Sequence, residues 1–287
     1  MNRKKITALA LTAAISAAVL AGCGSSAASS AAPAADSAAD SATTDTAASA
    51  DLLSQIQERG TITVAMEGTW APWTYHDEND NLVGYDVEVA TEIAKKLGVE
   101  PQFVEGEWDG LLAGLDAGRY DIMVNGVDIT PERAEKYDFS TPYAFNRTAV
   151  ITKADDDSIN TLEDLKGKKT ANTISSTYAE LAEQYGATVT GVDDLNQTFE
   201  LLLSGRIDAT LNAEMTFYDY TKEHPDANVK IAVLTDDANR IAIPMRKGDE
   251  TATLRTAIDA AIDELRADGT LKALSEKYFG RDISTEE

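Results

Sequence analysis

Cysteine is almost missing from this chain: Cys23 is the single one in 287 residues. That excludes an intramolecular disulfide and a cysteine-based metal cluster. Histidine is nearly as scarce. His76 lies in the turn-like run Tyr75-His76-Asp77-Glu78-Asn79-Asp80, and His224 precedes Pro225. Neither sits in a pattern for a catalytic triad or a zinc site. Both are expected at the surface, and neither a metal nor another cofactor is expected. No Gly-rich phosphate loop occurs. Positive charge is in deficit, with 25 Lys and Arg against 49 Asp and Glu, a net charge of −24. So acidic a surface repels nucleic acid and anionic headgroups, which argues against a nucleic-acid partner. A long hydrophobic run is lacking too. The best candidate, Ile6 to Leu20, has about 15 residues, short of the roughly 20 that a bilayer span needs.

The chain does begin like an export signal. Arg3, Lys4 and Lys5 precede the apolar run, which ends at Leu20-Ala21-Gly22-Cys23. This is the layout of a secretory signal peptide over residues 1–22, and the tetrapeptide resembles a bacterial lipobox. That resemblance implies lipidation of Cys23 and an anchor at the outer face of the cell membrane. Removal of three basic residues leaves the mature chain near −27 (−24 − 3). Residues 23–50 are almost all Ala, Ser, Thr and Asp. They cannot bury enough apolar surface to offset their ordering entropy, so they read as a flexible tether. Its length favours a membrane facing a thick wall, as in Gram-positive cells.

From Asp51 onward, strand-like and helical patterns alternate. Thr61 to Ala65 reads as a strand. Val89, Ile93 and Leu97 mark a helix that Gly98 ends. Leu254, Ala257, Ile258, Ala261, Ile262 and Leu265 mark another, followed by a short one with Leu271, Leu274 and Tyr278. Alternation of this kind implies an α/β architecture with mostly parallel sheets. There is also an internal echo. Gly118-Arg119-Tyr120-Asp121-Ile122-Met123-Val124-Asn125 matches Gly205-Arg206-Ile207-Asp208-Ala209-Thr210-Leu211-Asn212, each after a Leu-rich helix. Two copies suit two lobes. Ligands bind beyond the carboxyl ends of strands in open α/β sheets, so the segments after Asn125 and Asn212 are the expected site. The expected lobes are 51–146 with 244–287, and 147–243, with hinge segments near 147–152 and 240–243.

Several motifs carry a family resemblance. The most specific is Gly84-Tyr85-Asp86-Val87-Glu88-Val89, where early acids suit a helix dipole. Others are Thr130-Pro131-Glu132-Arg133, Tyr137-Asp138-Phe139-Ser140-Thr141-Pro142-Tyr143, and Asp268-Gly269-Thr270 to Tyr278-Phe279-Gly280. Over Asp51 to Gly280 the chain resembles the family 3 solute-binding proteins, extracytoplasmic receptors of polar amino-acid ABC importers. The resemblance implies a bilobal type II periplasmic-binding-protein fold, two α/β lobes joined by a two-strand hinge. It also implies a monomeric receptor, not an enzyme, that delivers an amino acid to a membrane permease driven by a cytoplasmic ATPase.

The same resemblance selects site residues. Thr130 and Pro131 open a helix that puts Arg133 in its first turn. On spacing alone Arg133 could be a surface arginine paired with Glu132 or Asp128. The resemblance implies a bidentate grip on an α-carboxylate. Gly126 and Asp128 precede that helix, with Asp128 where the family has Ser or Thr. Thr173, Ser175, Ser176 and Thr177 match a segment that donates to the carboxylate from the opposite lobe. Where the family has an ammonium-binding Asp stands Ala213, so Asp128 or Glu214 is the expected substitute. Trp70 and Trp108 match aromatic pocket walls, and Glu67 a polar position near the ligand side chain. Trp73 reads equally well as core. Two large walls suggest a polar or sulfur-containing amino acid, cystine-like among them. The alternative is a cyclohexadienyl-type dehydratase on the same fold, with Glu67 or Asp128 as general acid.

Overall fold

The computed structural model describes residues 51–286. The leader 1–22, Cys23 and the tether 23–50 lie outside the described residues. Among the described residues no helix is long and apolar enough to cross a membrane.

The first lobe contains α1 (Leu52–Arg59), β1 (Thr61–Met66), a small meander of β2 (Thr69–Trp70), β3 (Thr74–His76) and β4 (Leu82–Val83), then α2 (Tyr85–Leu97) and β5 (Glu100–Glu105). It continues through α3 (Trp108–Asp116), β6 (Ile122–Met123), α4 (Pro131–Lys136) and β7 (Tyr137–Phe139). β1 lies between β5 and β6, parallel to both. Its side chains alternate between two cores. Ile62, Val64 and Met66 face α1 and α2, whereas Ala65 joins Leu111, Leu115 and Met123 under α3. That is the two-residue period of a strand covered on both faces. In α2 the predicted stripe Val89, Ile93, Leu97 is buried. Gly84 is required just before it, because a Cβ there would lie 2.1 Å from the Trp73 carbonyl oxygen.

The chain leaves by β8 (Ala144–Asn146) and enters the second lobe at β9 (Thr148–Lys153). There follow β10 (Lys169–Asn172), α5 (Thr177–Gln184), β11 (Thr188–Gly191), α6 (Leu195–Leu203), β12 (Ala209–Ala213), α7 (Glu214–Glu223) and β13 (Val229–Leu234). The strands form one sheet in the order β11-β10-β12-β9-β13, with β9 antiparallel to both neighbours. β14 (Asn239–Ile241) returns to the first lobe, where β15 (Pro244–Arg246), α8 (Ala252–Ala267) and α9 (Thr270–Phe279) complete it. The stripe Leu254, Ile258, Ala261, Ile262, Leu265 is buried as predicted.

The crossing differs from the sequence expectation. The two crossing strands are β8 and β14, which pair antiparallel through Ala144↔Ile241, Phe145↔Arg240 and Asn146↔Asn239. Most of 147–152 is instead β9, buried between β12 and β13. A crossing strand and an interior strand share the same extended, β-branched pattern. Only the hydrogen-bond partner tells them apart.

The internal echo is structural. Gly118 and Gly205 both turn the chain with left-handed φ, +68° and +71°, after α3 and α6. Asp121 and Asp208 then do the same work. Each carboxylate accepts the backbone N–H of the neighbouring strand, from Thr63 at 2.7 Å and from Lys169 at 2.8 Å. Both strands then deliver an asparagine to the cleft.

Candidate ligand-binding cleft

Between the lobes lies a cavity of about 60 Å³ lined by both. From the first lobe come Glu67, Trp70, Trp73, Trp108, Asn125, Gly126, Asp128 and Arg133. From the second come Asn172, Thr173, Ser176, Thr177, Tyr178 and Asn212. Of the residues expected from sequence, nine line this cavity: Glu67, Trp70, Trp108, Gly126, Asp128, Arg133, Thr173, Ser176 and Thr177.

Arg133 is held as its sequence context suggests. Thr130 caps α4 by accepting the Arg133 N–H at 3.2 Å, and Pro131 is the first helical residue. The side chain is buried, with its guanidinium carbon 5.2 Å from the centre of the Trp108 ring. It donates to the Asp128 carbonyl at 3.1 Å and, across the cleft, to the Ser175 carbonyl at 3.2 Å. A guanidinium has five N–H groups, so donors remain for a ligand carboxylate.

Asp128 is buried beside it and accepts a hydrogen bond from the Thr177 hydroxyl of the opposite lobe. Burial raises its carboxyl above the usual range, although Thr177 and Arg133 both pull it down. Glu67 forms a two-way clasp with Asn125. Its N–H donates to the Asn125 Oδ1 at 2.8 Å, and the Asn125 amide donates back to its carboxylate at 2.7 Å. Burial pushes the Glu67 carboxyl up to about 7; Asn125 lowers it, and Asp109 and Asp193 add to the rise.

Four buried polar atoms around the cavity have no partner among the described residues: Trp108 Nε1, Asn212 Nδ2, Asn172 Oδ1 and Asp128 Oδ1. The amide orientations follow from backbone neighbours. Asn172 Nδ2 donates to the Leu211 carbonyl at 2.6 Å, and Asn212 Oδ1 accepts the Ala213 N–H at 2.8 Å. The unpaired set is thus two donors and two acceptors. Buried polar groups without partners are unfavourable, so the cleft presents two donors and two acceptors for a ligand to pair. A second cavity of about 80 Å³ adjoins the first, sharing Glu67, Trp108 and Thr173 and adding Glu107, Asp109 and Asp193.

Two expected residues lie elsewhere. Glu214 is a correction: it is buried, but against the hinge, where Arg147 reaches it at 3.2 Å and Arg281 at 3.5 Å. β12 ends at Ala213, and the helix starting at Glu214 turns its side chain away from the cavity. Ser175 stands exposed at the cleft mouth and does not line the cavity. Conversely, Asn125, Asn172, Asn212, Trp73 and Tyr178 line it without having been singled out as contacts. The echo pointed to the strand ends at Asn125 and Asn212 but not to their side chains. Asn172 carried no signal beyond its place at the end of β10. Asp86 stands in the first turn of α2, as expected, and is also wholly buried, accepting from the Tyr143 hydroxyl at 2.8 Å.

The sequence model of the bacterial extracellular solute-binding proteins, family 3, matches residues 62–281. The L-cystine-binding protein TcyA of Bacillus subtilis is 41% identical over 241 residues, 84% of this chain and 89% of that protein. An ancestral arginine-binding protein bound to arginine superposes with a TM-score of 0.72 at 38% identity, covering 77% of this chain and 99% of the other. The L-cystine solute receptor of Neisseria gonorrhoeae, unliganded and open, gives 0.58 at 42% identity over 83% and 100%. The more identical chain superposes less well. That is the result expected when the lobes of this chain are closed on each other, as the hydrogen bonds across the cleft also require.

Proposed function

The chain belongs to the bacterial extracellular solute-binding proteins, family 3, and from that membership we propose that it captures a zwitterionic amino acid in the cleft between its lobes. The observation that carries this reading is the unpaired set of two donors and two acceptors around one cavity. In this reading Arg133 holds the α-carboxylate, helped by Trp108 Nε1 and Asn212 Nδ2. Asp128 and the Asn172 carbonyl oxygen take the α-ammonium, in place of the aspartate absent at Ala213. The ligand side chain runs between Trp70 and Trp108 towards Glu67. The adjoining cavity, with Glu67, Glu107, Asp109 and Asp193 around it, suits a second ammonium, as in a two-headed amino acid such as L-cystine. The protein acts as a monomer held by a lipid on Cys23 at the outer face of the cell membrane. It passes its ligand to a permease driven by a cytoplasmic ATPase. A thermal-shift screen over the amino acids and L-cystine tests the reading. A ligand at 100 times its Kd adds about 2.7 kcal/mol of stability, and no shift with any of them would refute it.

A second reading rests on Glu67, whose carboxyl at about 7 suits a general acid at neutral pH. It is the dehydratase alternative. Turnover of prephenate, lost in Glu67→Gln, would favour it over the receptor.

A further inference from the structure

Ser175 is unusual in its backbone. Its φ is +60°, the left-handed region that residues with a Cβ rarely adopt. In that conformation the residue reaches the opposite lobe twice. Its carbonyl accepts from Arg133 Nη2 at 3.2 Å, and its hydroxyl donates to the Asp109 carboxylate in the first turn of α3. Two positions on, the Thr177 hydroxyl donates to Asp128. These bonds join residues of different lobes, so each must break when the lobes part. Those of Ser175 need no ligand atom, because the residue stands outside the cavity.

We propose that Ser175 is a closure latch: it positions the second lobe on Asp109 and Arg133 and favours the closed form without touching the ligand. The left-handed turn is the means, since it directs carbonyl and hydroxyl of one residue at the same face of the first lobe. Arg133 links the latch to recognition. The guanidinium that lines the cavity is also the one that takes the Ser175 carbonyl. A contact made only in the closed form raises the closed population, and apparent affinity scales with that population.

The chain supplies its own reporter. All three of its tryptophans, Trp70, Trp73 and Trp108, line the cleft. Their quenching by acrylamide therefore reads the open fraction, in full-length protein and without any label. Ser175→Ala, Asp109→Ala and the double variant are compared with wild type without ligand, and Ser175→Ala is then titrated with L-cystine; Asp109 also borders the cavity proposed for a second ammonium, so its variant is read by quenching alone. Each single change is expected to raise quenching of the ligand-free protein. Ser175→Ala should also weaken L-cystine binding by roughly two- to fivefold, mainly through faster release, the range for one exposed hydrogen bond. Quenching of the ligand-free double variant should not exceed that of the more open single, because both changes remove one bond. Melting temperatures of the ligand-free proteins should agree within a few degrees. Folded variants with unchanged quenching, or quenching effects of the two changes that add in the double variant, would overturn the latch. The binding arm rests on the amino-acid reading of the cleft. If wild type fails to bind L-cystine, that reading loses this ligand, and the quenching arm still decides the latch.

Discussion

Asp128 and Glu214 look alike in sequence, two acids placed just after the ends of echoed strands, yet their surroundings give them different work. Asp128 has one carboxylate oxygen on Thr177 and the other unpaired beside the cavity. Glu214 is already matched by two guanidinium groups at the hinge. Asp128→Asn should therefore weaken amino-acid binding about ten- to hundredfold, the range for a hydrogen bond to a charged group. Glu214→Gln should leave affinity within about twofold and lower stability by about 1–2 kcal/mol. That lies between exposed and fully buried pairs, because both arginines are partly exposed. Titration calorimetry and thermal denaturation of the two variants separate these outcomes. Equal loss of binding in both would return Glu214 to the site.

At the scale of an element, the start of α2 couples the cleft to the core. Asp86 in its first turn is wholly buried, with Tyr143 and the Gly126 amide as its hydrogen-bonding neighbours. Burial pushes its carboxyl up to about 7 from 3.8, and those two partners lower it by less. The folded state thus binds this proton more tightly than the unfolded chain. The resulting stabilisation is full below about pH 4 and is lost as pH rises through about 7. Asp86→Asn keeps an acceptor for Tyr143 and cannot ionise. Its melting temperature relative to wild type should climb from pH 5 to about pH 7 and level off above that. A difference that stays constant over that range would mean Asp86 is ionised throughout. Glu67 shifts in the same direction, so only the difference between the two proteins isolates Asp86.

For the whole molecule, the proposed anchor and the two lobes answer different needs. An acidic binding domain is repelled by anionic lipid, so the proposed hold on a membrane would rest on acyl chains on Cys23. Two or more chains on one residue would satisfy the two-signal requirement for stable attachment. Replacement of Cys23 by Ser should abolish incorporation of labelled palmitate and move the protein from the membrane to the soluble fraction. Unchanged fractionation would remove the lipid anchor from the proposal. The lobes need freedom to part and close, and two short paired strands give it. β8 and β14 are joined over only three residue pairs, a narrow bridge about which φ and ψ changes can be concentrated.

The sequence by itself determined the layers. Periodicity placed α2, α8 and β1 with their buried faces, because the 3.6- and two-residue repeats are local and each element must bury one stripe or face. The echo of Gly118 to Asn125 in Gly205 to Asn212 announced two lobes. The motif around Arg133 brought its guanidinium to the cleft, since cap, proline and guanidinium lie within one turn. What only the tertiary structure decided is where side chains meet across the cleft. Ser175 and Asp109 are separated by 66 residues, and Trp70 and Asn212 by 142. No local pattern records such distances. The three asparagines read as ordinary strand ends, Glu214 as a cleft acid and 147–152 as a hinge, until the partner strands and the opposite lobe fixed which groups were paired and which were left for a ligand.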